Sequence, residues 1–482
     1  MSQHLAKNTV FMTAASIGQK IVAFVYFLFL ARVMMPEKTG TFFLATSIIT
    51  MFSVFSDLGV TSVLIREISK RPEARDQIVR QAIGLKLFLT IATVVIIFIA
   101  TPFFQYDTEI TGLILMTSLV MITDALALIC YGILRASQQL RHEAFGMFIG
   151  QCVTVCVGGI SLVLYPDVRF LILALICGSA ATFLISFSQV VRLYGFHLFI
   201  PSWDKQAQWN MVKIMLPFAL AGIFVKIYST LDVILISKML STTAVGIYSV
   251  AYKFTYAFQF LPLAFAAALY PSLSSTVDKD VNVTTKTFSQ AIWYTFLIAT
   301  PITFGVSLLA PEMIQLIGRE YGESSLILQT LIFVLFPSFL EFSFGALLNA
   351  SDRQSTRMKI IGFAMVINAG IDFVLIPRLG LMGAVIGSLI SYSIMVFIEF
   401  IIVSKILPQF LTRQFFLRTS GTILSGLVMF SIGVLLKQWM SWFLVIPCAA
   451  AVYFGMLIIT KSVTKQEILR FKALFRKTPV VV

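Results

Sequence analysis

Residues 19–45 read QKIVAFVYFLFLARVMMPEKTGTFFLA, and residues 225–251 read VKIYSTLDVILISKMLSTTAVGIYSVA. The two stretches align at an offset of 206 without a gap. Lys20 meets Lys226, Ile21 meets Ile227, Arg32 meets Lys238, Gly40 meets Gly246 and Ala45 meets Ala251. At an offset of 209 the run QAI at 81–83 meets QAI at 290–292, and Pro102 meets Pro311. Further on, GILRASQQ resembles GALLNASDRQ with small gaps. Each copy opens on a long apolar segment with a lysine near its middle, Lys20 and Lys226. A charge at bilayer depth costs several kcal/mol unless something compensates, so the paired lysines need a physical reason.

The rest of the chain fixes what kind of segment this is. Of 482 residues, 58% are apolar and only 12% charged, about half the charged fraction of a soluble protein. Crossing a bilayer takes about 20 predominantly apolar residues. Fourteen such spans are expected, at 9–34, 40–64, 81–104, 110–133, 143–164, 169–191, 211–237, 245–273, 287–310, 325–348, 360–377, 380–404, 415–436 and 441–460. Barrel strands alternate in segments of about 10 residues, and these runs are longer and continuous. The expected class is an all-α polytopic membrane protein.

Charge then orients it. With the N-terminus inside, alternate connections carry 24 basic residues on the inner side and 6 on the outer, the bias that sets membrane topology. The net charge of +14 thus belongs to the membrane interface, and no nucleic-acid partner is expected. Both termini are placed in the cytoplasm. The N-terminus has no small-residue cleavage site and does not read as a signal peptide.

With both copies starting inside, the repeats are parallel, related by an axis along the membrane normal. The expected domains are an N-lobe of spans one to six (1–195), an interfacial linker (196–210), a C-lobe of spans seven to twelve (211–404), spans thirteen and fourteen (405–460) and a basic cytoplasmic tail (461–482) on the membrane surface.

The chemistry is bounded by what is missing. No connection exceeds roughly 20 residues, which leaves no room for a soluble catalytic domain, and no G-x-x-x-x-G-K-[ST] loop offers a phosphate cradle. The cysteines (Cys130, Cys152, Cys156, Cys177, Cys448) lie in apolar stretches, and His4, His142 and His197 are scattered. No metal centre or catalytic set is expected.

Three stretches resemble one family. ARVMMPEKTGTFFLATSIITMFSVFSDLGVTSVLIREISK is similar to the opening of polysaccharide flippases, LDVILISKMLSTTAVGIYSVAYKFTYAFQFLPLAFAAALYPSLS to their second lobe, and INAGIDFVLIPRLGLMGAVIGSLISYSI to their eleventh and twelfth spans. The resemblance is to the polysaccharide-transporter branch of the multidrug/oligosaccharidyl-lipid/polysaccharide exporter superfamily, which includes the O-antigen (lipopolysaccharide) flippases. It implies two six-helix lobes around a central cavity and a final helix pair. It also implies a substrate, an oligosaccharide on a polyprenyl diphosphate, flipped to the outer leaflet of a bacterial or archaeal cytoplasmic membrane by alternating access. Membrane lipids and polysaccharide polymerase or assembly proteins are its implied partners.

Against that frame the intramembrane charges sort into roles. In the resembled fold, Lys20 and Lys226 line the cavity, where a diphosphate would satisfy both; the alternative is pairing with a membrane carboxylate or snorkelling. Asp232 and Lys253 lie about equally far from a turn near residue 242 and are expected to form a structural or gating ion pair. Asp124, Glu341 and Asp372 are candidates for a coupling proton or sodium ion, or for partners of the lysines. Asp57 is expected to cap or to pair with a base such as Arg66. Tyr26, Tyr228, Gln19 and Tyr252 are candidate glycan contacts, with packing as the alternative. No organic cofactor is expected. The rival functions are an ion-coupled drug or metabolite antiporter of the same superfamily, a membrane glycosyltransferase or polymerase, and a non-transporting scaffold of polysaccharide assembly.

Overall fold

A computed structural model describes residues 2–277, 279–464 and 467. The predicted surface tail therefore lies outside the described residues beyond position 464, Glu467 apart. Every regular element is helical: the described residues form no strand. Among the described residues thirteen helices are long and apolar enough to cross a membrane, one fewer than the fourteen expected. The first of them accounts for the difference. Helix α1 (Ser2–Phe52) contains non-helical Met35 (φ 62°, ψ 167°) next to Pro36. Proline denies the helix a hydrogen bond and clashes with the preceding turn, so the chain reverses there. Phe27 and Phe43 show the reversal directly, with ring centroids 5.8 Å apart. Sixteen residues of straight helix would separate them by about 24 Å. Spans one and two are a hairpin, and counting its arms separately restores fourteen.

The chain packs as two compact units, residues 1–253 with 365–384 and residues 254–364 with 385–482. The first contains α1, α2 (Val60–Lys70), α3 (Arg75–Ala100), α4 (Thr108–Ala136), α5 (Leu140–Leu164), α6 (Val168–Tyr194), α7 (Lys205–Met239) and most of α8 (Thr242–Tyr256). It also takes parts of α13 (Gln354–Leu379) and α14 (Leu381–Ile406). One of its cores gathers Val63, Leu64, Val79, Ile133, Leu134 and Leu198, all fully buried.

Within this unit the repeat is visible as geometry. A Cβ placed on Gly40 would overlap the carbonyl of Thr242, and one placed on Gly246 would overlap the carbonyl of Pro36. Gly40 and Gly246 are repeat partners, and Pro36 and Thr242 are also 206 apart. The two hairpin tips thus touch through equivalent atoms in reciprocal fashion, as a local pseudo-two-fold requires. Small residues at such crossings let backbones approach closely.

The second unit contains α9 (Phe260–Thr276), α10 (Val281–Gln315), α11 (Ser324–Leu331), α12 (Leu335–Ala350), α15 (Arg413–Leu436), α16 (Trp442–Ile459) and the remainders of α8, α13 and α14. Its main core is aromatic and aliphatic, with Phe288 packed edge-on against Phe410 at 5.6 Å. The start of the tail is latched back: Arg418 holds both carboxylate oxygens of Glu467, at 2.6 and 2.7 Å, and lies 3.8 Å over the Trp293 ring. Burial works against ionisation of Glu467, but the bonds from Arg418 and Thr464 prevail and hold its carboxyl below the usual range.

Candidate functional site: a charged cavity beside a broken span

The expected second span, 40–64, is not one helix. The arm of α1 stops at Phe52, and α2 starts only at Val60. Between them the chain turns, with Leu58 at φ 41° and Gly59 at φ 85°. Gly59 is required twice over, by that positive φ and because a Cβ there would come within 2.8 Å of Phe218 Cβ. Irregular backbone at membrane depth is tolerated where it is buried in protein or lines a polar cavity. Here it lines one: Ser53, Val54, Ser56, Asp57, Leu58 and Gly59 form part of the wall of a cavity of about 830 Å³.

Residues of α1, α2, α4, α6, α7 and α8 complete the wall. Much of it is hydroxyl-bearing, including Thr46, Thr50, Ser62, Thr117 and Ser229. Four ionisable side chains of intramembrane charge face the space: Asp57, Asp124, Lys226 and Lys253. Asp57 is already neutralised from behind, since the buried Lys86 ammonium donates to it at 2.5 Å and the Thr61 hydroxyl at 2.6 Å. Asp124 accepts a hydrogen bond from the Ser179 hydroxyl. Lys226 attracts Asp124 electrostatically but forms no direct ion pair with it. Lys253 is held over the face of Phe43, 5.0 Å from the centroid, a cation–π contact. Formal charges leave one carboxylate against two amino groups, so the formal charge of the cavity lining is positive.

Lys226, Lys253, Asp124 and Tyr252 are thus brought together. Lys20, Gln19, Tyr26 and Tyr228 are not among the lining residues. Lys20 is exposed, and Tyr26 is buried against α5, where a Cβ on Gly158 would overlap its hydroxyl. Asp57 pairs with a base, and the base is Lys86 on α3 where Arg66 was the example expected. One expected pairing is corrected. Asp232 and Lys253 form no ion pair: Asp232 accepts from the Tyr248 hydroxyl at 2.8 Å and from the Asn368 amide at 2.9 Å. The reason is register. Partners across an antiparallel hairpin have numbers with a constant sum. Placing the turn near 242, when the break falls at Leu240–Ser241, moves the expected partner by more than a helical turn.

The three carboxylates proposed for ion coupling fall in three places. Asp124 faces the cavity, and Glu341 lies in the second unit, bonded to Arg357. Asp372 is fully buried beside Asp232, sharing the Asn368 amide at 2.8 Å, with its Oδ1 unbonded. Among the described residues no group of three or more His, Cys, Asp or Glu could hold a metal ion. Asp232, Asn368 and Asp372 instead form a buried, hydrogen-bonded set. Sequence reasoning missed Lys86 and Asn368; the signal for Lys86 was a lone lysine in an apolar run, the same sign that had singled out Lys20.

The polysaccharide biosynthesis protein model matches residues 5–277, more than half of the chain. The chain belongs to the polysaccharide biosynthesis protein family. This family member also matches the MatE model over residues 217–374. It is 22% identical to the probable low-salt glycan biosynthesis flippase Agl15 of Haloferax volcanii, over 99% of this chain and 100% of that one. It is 21% identical to the capsular polysaccharide biosynthesis protein CapF of Staphylococcus aureus, over 80% of this chain and 96% of the relative. Its fold matches the lipid II flippase MurJ in an inward closed conformation, with a TM-score of 0.77 at 16% identity, over 95% of this chain and 100% of that chain. An inward-facing multidrug resistance MATE transporter of the MOP superfamily gives 0.64 at 17% identity, over 83% and 96%. The family member is a multi-pass membrane transporter of polysaccharide biosynthesis, and both expected fold and family stand.

Proposed function

We propose that this transporter flips an oligosaccharide carried on a polyprenyl diphosphate, and that the cavity of the first unit receives the diphosphate head. The net positive cavity carries the reading. Two ammonium groups, Lys226 and Lys253, face a space of about 830 Å³, within the range of ligand pockets. Asp124, which interacts with Lys226, is one carboxylate against two ammonium groups. An anion with several oxygens would replace water around both through charge-assisted hydrogen bonds, and the hydroxyl-rich wall suits the first sugar. Lys253 takes the second position that the sequence had assigned to Lys20. A drug-cation antiporter, the fold's other known use, would be served by the opposite charge.

The cycle follows alternating access between two six-helix lobes in the cytoplasmic membrane, with both termini inside, as the 24-to-6 charge bias supports. Asp232, Asn368 and Asp372 would bind the coupling ion, a proton or Na⁺: two carboxylates buried side by side favour taking up a positive charge. A downstream polymerase would draw the flipped product away.

Proteoliposomes loaded with a fluorescent polyprenyl-diphosphate sugar test the reading. Wild type should protect the probe from an outside quencher in a gradient-dependent way. The Lys226→Ala, Lys253→Ala double variant should lose that activity while keeping its fold. Undiminished flipping in the double variant removes the anion site; no flipping by wild type under a proton or sodium gradient removes the function.

A further inference from the structure

The second unit holds a buried charge cluster that the cavity does not use. Glu341 on α12, Arg357 on α13 and Glu399 on α14 come together there. Glu399 is fully buried, at 0% exposure, and neither of its carboxylate oxygens has a hydrogen-bond partner. Arg357 donates Nη2 to Glu341, while its Nε has no acceptor. The guanidinium lies against Gly345, one turn beyond Glu341, where any Cβ would come within 2.6 Å of Nε. The helices carrying Arg357 and Glu399 meet α12 in one core, where Ile360, Val396 and Val403 pack with Phe344 and Leu348, and the charges acting on Glu399 are those of Glu341 and Arg357.

The charge count is unbalanced. One guanidinium already serves Glu341, and an ionised, unbonded carboxylate in a dry interior is costly. Two carboxylates and one arginine reach neutrality only with one proton. We propose that Glu341, Arg357 and Glu399 form a proton-binding site, in which a single proton passes between the two carboxylates as Arg357 changes partner.

In the arrangement seen, Glu341 is ionised and paired and Glu399 holds the proton on a carboxyl oxygen. In the other, Arg357 turns its unused Nε to Glu399, which releases its proton, and Glu341 takes one up. Net charge is zero in both, so the exchange moves one proton without stranding a charge. Glu341 retains 8% exposure where Glu399 has none, which makes Glu341 the mouth of the site and Glu399 its sealed end. The site uses other residues than the Asp232–Asp372 pair and stands whatever lipid is transported.

Infrared difference spectroscopy on the full chain in phospholipid nanodiscs tests it. The wild type minus Glu399→Gln spectrum should show the C=O band of a protonated carboxyl that shifts in D₂O. In Glu341→Gln, Arg357 has only Glu399 to pair with, so the band should vanish although Glu399 is still present. No band difference between wild type and Glu399→Gln overturns the proposal. So does a band that survives in Glu341→Gln, which would mark Glu399 as a fixed neutral acid. Leucine replaces glutamine at either position if the amide variant does not fold, and the same readings apply.

Discussion

The two hairpins that begin the repeats share a skeleton and differ in chemistry. At their tips Gly40 and Gly246 pack on each other's hairpin through equivalent carbonyls. Further along the arms, Tyr26 and Phe42 in the first copy occupy the positions of Asp232 and Tyr248 in the second. The first pair is buried apolar packing, while the second is a carboxylate with a phenol donor. The second arm is interrupted in both copies at neighbouring repeat positions, by the turn at 53–59 and by a short 3₁₀ turn at Ala257–Gln259, which the offset of 206 sets against 51–53. Only the first interruption carries an acid: the counterpart of Asp57 is Leu263, inside helix α9. Positions where backbone meets backbone have no freedom to vary, because added atoms have nowhere to go. Positions that meet side chains can be rebuilt, and there one copy has become ionisable.

The most damaging way to break this comparison is to strand the acid of the first interruption. Lys86→Met leaves Asp57 without its buried partner and should cost about 3–5 kcal/mol, read as a fall in thermal stability in detergent. Leu263→Met, at the equivalent place of the second copy, should change nothing measurable. A silent Lys86→Met would show that Asp57 does not depend on the pair.

The reciprocal contact comes next. Gly40→Val and Gly246→Val should each destabilise by about 1–3 kcal/mol or more, and by similar amounts. If one is tolerated and the other is not, the contact is not symmetric. Third, Asp232→Asn should abolish the ion dependence of flipping with little loss of stability, whereas Tyr26→Phe should leave both unchanged. Equal effects would erase the chemical divergence between the copies. The smallest effect belongs to the paired lysines: Lys226→Ala should weaken lipid-diphosphate binding about tenfold, in line with about 1.5 kcal/mol for one charged hydrogen bond, and Lys20→Ala by much less. Titration of a fluorescent diphosphate lipid separates the two.

The hairpins also show how far the sequence could be read. Span number, class and the 206 offset follow from apolar length and from the spacing of Gly, Pro and Lys, which are local properties. The division at Met35–Pro36 was legible for the same reason. The break at 53–59 was not. Phe52, Val54 and Phe55 are as apolar as the residues before them, and hydropathy does not report whether a backbone is helical. The Asp232–Lys253 pairing failed because depth along a hairpin depends on which residue turns.

Taken alone, the chain determined that it is a helical membrane protein with an internal duplication, because apolar length and charge bias are summed along the sequence. It also determined that charged groups lie inside the spans. Which charge meets which was decided by tertiary structure. Asp57 reaches Lys86 on another helix, Asp232 reaches Asn368 across 136 positions, and Glu399 reaches no hydrogen-bond partner in a cluster assembled from three helices. Ion pairing falls steeply with distance in a dry interior, and a helix sets side-chain direction by its rotation as well as its depth. Packing alone sets that rotation.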